Sequence, residues 1–137
     1  CHGYDSATGH VSEERQRIST TPADYTGQKS GAEILIHPSG RFLYASNRKL
    51  KSDHPLADSV AAFSIDNAGK LASIQYWSEG VRFPRAMTMA PDGSHLYALS
   101  QKGDTILRLR IDPQTGKLDQ PVVVAKVPTP VCLVLVG

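Results

Sequence analysis

One phrase occurs three times in this chain and limits what it can become. Between Gly3 and Val11 the chain runs from a strand end through Asp5-Ser6-Ala7-Thr8-Gly9 into a new strand. Ile65-Asp66-Asn67-Ala68-Gly69-Lys70-Leu71 is the second copy and Ile111-Asp112-Pro113-Gln114-Thr115-Gly116-Lys117-Leu118 the third. In each copy Asp can accept hydrogen bonds from its own backbone, and Gly supplies the positive φ that closes a turn. A turn that returns in this way points to a repeat architecture.

The repeat extends beyond the turn. Ile34 to Tyr44, with His37-Pro38-Ser39-Gly40 inside, aligns with Met87 to Tyr97, which contains Ala90-Pro91-Asp92-Gly93. Ser59 to Asp66 aligns with Thr105 to Asp112, and both alternate with the period of two expected of a half-buried strand. Each unit is therefore predicted to hold four strands, at 32–37, 42–48, 59–66 and 71–78, then at 85–90, 95–101, 105–112 and 117–125. Val131 to Val136 restarts the pattern as a lone first strand, and no helix is predicted. The matching positions Glu33, Ala86 and Cys132 lie 53 and 46 residues apart. Four-stranded antiparallel units of about that length are the blades of an all-β propeller.

The expected organisation is the end of a preceding blade and a loop over 1–30, blades over 31–79 and 80–128, and a closing strand over 129–137. An insertion, Lys49 to Asp58, separates the second and third strands of the first blade. Two blades and a strand cannot close a ring, and an isolated blade leaves an apolar face open. The chain therefore reads as the C-terminal part of one propeller domain.

Composition narrows the class. At 137 residues, 40% hydrophobic and 20% charged, the sequence has the make-up of one globular domain. It contains no apolar run of the roughly 18 residues that span a bilayer and no signal-peptide pattern, so a membrane is not an expected partner. The net charge is +2 and the basic residues are dispersed; Arg48, Lys49 and Lys51, the densest group, read as a solvated loop rather than a nucleic-acid footprint. Cys1 and Cys132 lack metal or redox spacing, Cys132 reads as a small core residue, and a cytoplasmic setting is expected.

The positions that break the repeat are the candidates for chemistry. Glu33 starts a first strand where the other copies hold Ala86 and Cys132. Arg48 ends a second strand where the other copy holds Gln101, and Arg85 stands where the others hold Ala32 and Val131. Antiparallel geometry brings these positions to one rim, with His54 in the insertion and Gln101 beside them as substrate contacts. A carboxylate can activate water or shuttle a proton. Arginines bind phosphate or carboxylate in bidentate fashion and stabilise an oxyanion. The competing readings are an ion pair of Glu33 with either arginine, and solvated loop positions for Arg48 and Arg85. His37 and His95 belong to the opposite rim, and no two histidines share metal-ligand spacing.

Ala32-Glu33-Ile34, the run from Pro38 to Arg48, Asp58-Ser59, Phe83-Pro84-Arg85 and Pro130-Val131-Cys132 occur in that order. Together they resemble the seven-bladed lactonase propellers, which include propeller-type 6-phosphogluconolactonase and carboxy-cis,cis-muconate cyclase. The resemblance implies hydrolysis of a small sugar lactone such as 6-phosphogluconolactone without a cofactor, or the related lactone-forming cycloisomerisation. The insertion at 49–58 departs from the shorter loop expected of that family. A non-catalytic propeller presenting a face to a protein is the third reading, and a rim of Glu and Arg rather than aromatic anchors speaks against it.

Overall fold

The computed structural model describes residues 1–136. Ten strands form three antiparallel sheets. β1 (His2–Tyr4) and β2 (Val11–Glu14) make a hairpin. β3 (Gln28–Ile36), β4 (Phe42–Lys51), β5 (Ser59–Ile65) and β6 (Leu71–Trp77) form the first blade, in sequential order. β7 (Pro84–Met89), β8 (His95–Ser100), β9 (Thr105–Arg110) and β10 (Val122–Lys126) form the second. A single 3-10 turn, Gln101–Gly103, is the one helical element among the described residues.

The repeated turns fold as their composition requires. Asp66 Oδ1 accepts the N–H groups of Ala68 and Lys70, both at 2.8 Å, and Gly69 closes the turn at φ 77°. Asp112 Oδ1 accepts those of Thr115 and Gln114 at 3.0 and 2.7 Å, and these bonds hold its carboxyl below the usual carboxylate range. The Pro-Gly hairpins close in parallel fashion, with Gly40 N–H on His37 O and Gly93 N–H on Ala90 O, each at 2.8 Å.

Alternation along the middle strands then sorts side chains onto two faces. Phe42, Tyr44, Val60 and Ala62 meet Met87, Leu96, Ala98, Leu107 and Leu109 between the blades. Leu43, Ala45, Ala61 and Phe63 point the other way and pack with Ile18, Leu71 and Tyr76. Polar groups tie one blade to the next. Tyr44 Oη donates to Gly116 O at 2.9 Å across the buried seam, and burial raises its pKa above the usual phenol value. His37 Nδ1 accepts the Ser39 N–H at 3.1 Å, which leaves Nε2 to donate to Gly93 O at 3.1 Å. Gln75 grips both backbone groups of Leu118, at 3.1 and 2.7 Å, and Gln16 grips those of Leu71, both at 2.8 Å.

The architecture matches the all-β, four-stranded-blade expectation, with four local differences. The first inner strand begins at Gln28 rather than 32, because Gln28 to Gly31 pair with the far end of β4. β4 correspondingly continues to Lys51, so the first residues of the expected insertion are strand and its loop starts at Ser52. The last strand of the second blade occupies Val122–Lys126 instead of starting at 117; Leu118 makes only an isolated bridge to Ile111, and Pro121 has no N–H to donate. Cys132 is exposed rather than in the core, because residues 131–136 join no ladder within this chain. Trp77, at the end of β6, packs against the blade core.

Candidate functional site

The rim at the open ends of β3, β4 and β7 is shaped by two matching irregularities. The β3–β4 register passes from Gly31 opposite Asn47 to Ile34 opposite Ala45, leaving Ala32 and Glu33 against Ser46. This is a bulge, a device that redirects a side chain. Its extra N–H is not orphaned: Glu33 donates to Ser46 Oγ at 2.9 Å. The Glu33 side chain is half-buried and makes no ion pair among the described residues, which removes the structural ion pair as its explanation. β7 carries the same shift, between Pro84 opposite Ser100 and Ala86 opposite Leu99, and the displaced residue there is Arg85, which is exposed.

Arg48 lies between the two inner strands. Its Nη2 donates to Ser30 Oγ at 2.9 Å and to Gly31 O at 3.1 Å, both on β3. Its guanidinium stands 5.2 Å from the ring centroid of Phe83, which immediately precedes β7. Nε is buried and has no hydrogen-bond partner among the described residues. Arg48 therefore belongs to a built contact rather than to a solvated basic loop. Glu33 follows two residues after the carbonyl it grips, and Arg85 two residues after the ring it meets.

The other two nominated residues have different surroundings. Gln101 opens the 3-10 turn and its N–H donates to Phe83 O at 3.3 Å. His54 lines a cleft of about 350 Å³ with Lys49, Asp58 and Arg82, a cleft whose lining includes none of Glu33, Arg48, Arg85 and Gln101. Its Nδ1 accepts the Leu56 N–H at 3.1 Å, its ring tilts on Tyr25 at 5.1 Å, and Nε2 is 3.7 Å from Asp24. His37 and His95 both line a separate cavity of about 250 Å³ by the opposite hairpins. No cluster of His, Cys, Asp and Glu suited to a metal ion occurs among the described residues.

Comparison with known proteins adds the family. The pattern of the family described as "Lactonase, 7-bladed beta-propeller" matches residues 1–135. This chain belongs to that family. A "Probable 6-phosphogluconolactonase" of Arthroderma benhamiae is 37% identical over 123 residues, 88% of this chain and 30% of the relative. The 6-phosphogluconolactonase of Yersinia pestis is 34% identical over 103 residues, 75% of this chain and 29% of the relative. A solved Bacteroides fragilis structure, provisionally named a 6-phosphogluconolactonase, superposes with TM-score 0.80 at 31% identity, covering 99% of this chain and 35% of the other. The chain thus spans under a third of the curated relatives it matches.

Within this lactonase propeller, sequence reasoning passed over the residues that hold the rim in shape. Asn47 and Ser100 occupy the same repeat slot and are buried. Asn47 Nδ2 donates to Thr20 O at 2.7 Å and to Ser59 Oγ at 3.2 Å. Ser100 Oγ accepts the Arg82 N–H at 2.7 Å and lies 3.2 Å from Arg82 O. In both blades the end of the second strand fastens the segment that leads into that blade. Phe83 was also passed over, although it too breaks the repeat, standing where the neighbouring units hold Ser30 and Thr129.

Proposed function

We propose that the protein carrying this segment is a lactonase that hydrolyses a sugar lactone, with 6-phosphogluconolactone as substrate and 6-phosphogluconate as product. The observation that carries the reading is Arg48: a guanidinium pinned between the strands of Glu33 and Arg85, with a buried Nε–H still lacking an acceptor. The 6-phosphogluconolactonase names of the relatives support the substrate.

Glu33 is assigned as the base that takes a proton from water as its oxygen attacks the lactone carbonyl. The ring C–O bond then breaks and the proton returns to the leaving hydroxyl oxygen. Arg48 and Arg85 hold the substrate's anionic group and the developing oxyanion, a task suited to planar, permanently charged donors. Gln101 and His54 are assigned to outlying substrate contacts. This chemistry uses water and side chains and is drawn without a cofactor. The reading places the protein in the cytoplasm, where Cys1 and Cys132 stay free thiols.

Residues 129–136 are assigned as the closing strand of a further blade; Gly137, the last residue of that expected strand, lies outside the described residues. Tyr97, in the slot of buried Tyr44, is half-buried, as expected of a face that awaits a neighbour. The test is loss of 6-phosphogluconolactone by the complete chain. Glu33→Gln should lower kcat by roughly 100-fold or more with the circular dichroism spectrum unchanged. Normal turnover in that variant would refute the catalytic assignment.

A further inference from the structure

The connection between the blades does more than join them. Phe83 has a left-handed backbone, φ 53°, just before Pro84, and Thr129 repeats that conformation, φ 50°, just before Pro130. A left-handed non-glycine residue is strained and persists only where its surroundings impose it. Ser30, the matching residue of the first blade, lies inside β3 before Gly31 and lacks it, but because both Phe83 and Thr129 adopt it, the bend belongs to the step into the following proline. The aromatic side chain does not: the corresponding slot holds Thr in one unit and Ser30 in the other. Nor does its cation, since Arg48 stands where the second blade has Gln101. The Phe83–Arg48 pair is thus peculiar to this junction, on the same grounds that single out Glu33.

The ring is also held by the second blade. Lys102 N–H donates to Arg82 O at 3.2 Å and Gln101 N–H to Phe83 O at 3.3 Å, so the connector is fastened to the second blade's 3-10 turn. Lys102 Nζ lies 4.1 Å from the same ring centroid. Arg48, on the first blade, therefore meets an aromatic surface placed by the second. Its hydrogen bonds fix only Nη2, to Ser30 and Gly31, and two bonds from one nitrogen leave the guanidinium free to tilt about that end. Contact with an aromatic face removes that freedom.

We infer that Phe83 is a positioning residue for substrate binding: its ring holds the Arg48 guanidinium in the orientation that receives the anionic group of the lactone. The inference rests on the assignment of Arg48 under the proposed function. It extends that assignment across the blade seam, so that the second blade sets the aim of a first-blade side chain.

The test uses the complete chain with 6-phosphogluconolactone. Phe83→Leu keeps apolar bulk and removes the ring's negative face, and should raise KM roughly threefold to tenfold at unchanged kcat. Phe83→Tyr keeps the ring and should keep the native KM. In an Arg48→Ala background, Phe83→Leu should add nothing, since it acts only through that arginine. A native KM in a folded Phe83→Leu variant, or an undiminished effect in the Arg48→Ala background, overturns the inference while leaving the lactonase reading intact. If Arg48→Ala itself binds substrate normally, the assignment of Arg48 has failed and the inference falls with it. Should Phe83→Leu not fold, Phe83→Met makes the same comparison.

Discussion

Replacing Tyr44 with Phe removes one oxygen from the buried seam between the blades and provides a two-part test of how that seam is held. Tyr44 is fully buried, and its hydroxyl donates to Gly116 O at 2.9 Å. Deleting it leaves a carbonyl without that partner in a site that water does not reach. Such a loss costs about 1–3 kcal/mol, more than the net worth of an exposed hydrogen bond. The second part concerns alkaline pH. Burial raises the folded-state pKa of Tyr44 above its ordinary value of 10.0. Its contribution to stability is therefore complete below about pH 10 and is lost as pH rises toward the higher folded value. Over that window the unfolded chain has released a proton that the folded chain retains, so stability falls by about 1.4 kcal/mol per pH unit from this group. Guanidinium denaturation of the complete chain at pH 7 and between pH 10 and 11 measures both quantities. Tyr44→Phe should be the less stable protein at pH 7 and should show the shallower alkaline decline. A variant within about 0.5 kcal/mol of wild type at pH 7, with an unchanged alkaline slope, would refute this account of the seam.

Three further outcomes are expected. Gly116→Ala should destabilise by about 2–4 kcal/mol in the same denaturation assay, because φ is 71° there and an added Cβ would overlap the Phe42 ring. Arg48→Lys should restore little of the KM lost in Arg48→Ala, since an ammonium ion cannot reproduce a planar fork lying against Phe83. The 137-residue segment by itself should self-associate, because Val122, Val123 and Val124 stand exposed along its outermost strand; light scattering showing a monodisperse monomer would count against this.

The turns and strands were legible because their signals are local. Asp-to-Gly spacing and period-two alternation are decided within a few residues, and the hairpins at His37 and Ala90 fell where Pro and Gly placed them. What escaped depends on partners distant in sequence. Nothing near Gln28 announces a strand; it becomes one because Lys51 offers it a ladder. The same pairing turned Lys49 to Lys51 from expected loop into strand. Cys132 looked like core on apolar neighbours alone, yet it is exposed. In the candidate site, comparison of repeat slots singled out Glu33, Arg48 and Arg85 because charge against an apolar background is conspicuous. Phe83 was not conspicuous: an aromatic residue beside a proline reads as ordinary packing until the arginine above it is located.

The two glutamine grips have a direction. Gln16 closes on Leu71, 55 residues later, and Gln75 on Leu118, 43 residues later. In each case the outermost part of one unit reaches forward to a unit not yet synthesised when the glutamine itself leaves the ribosome. Local hairpins can form as soon as they emerge, but each blade's rim strand stays unlatched until the following blade has been made. Growth of the ring is therefore paced by translation: the newest blade carries a loose outer strand and an uncovered face until the next one follows. Slowing elongation just before Leu118 would prolong the exposure of β6, together with the faces of β4 and β5 that the second blade covers.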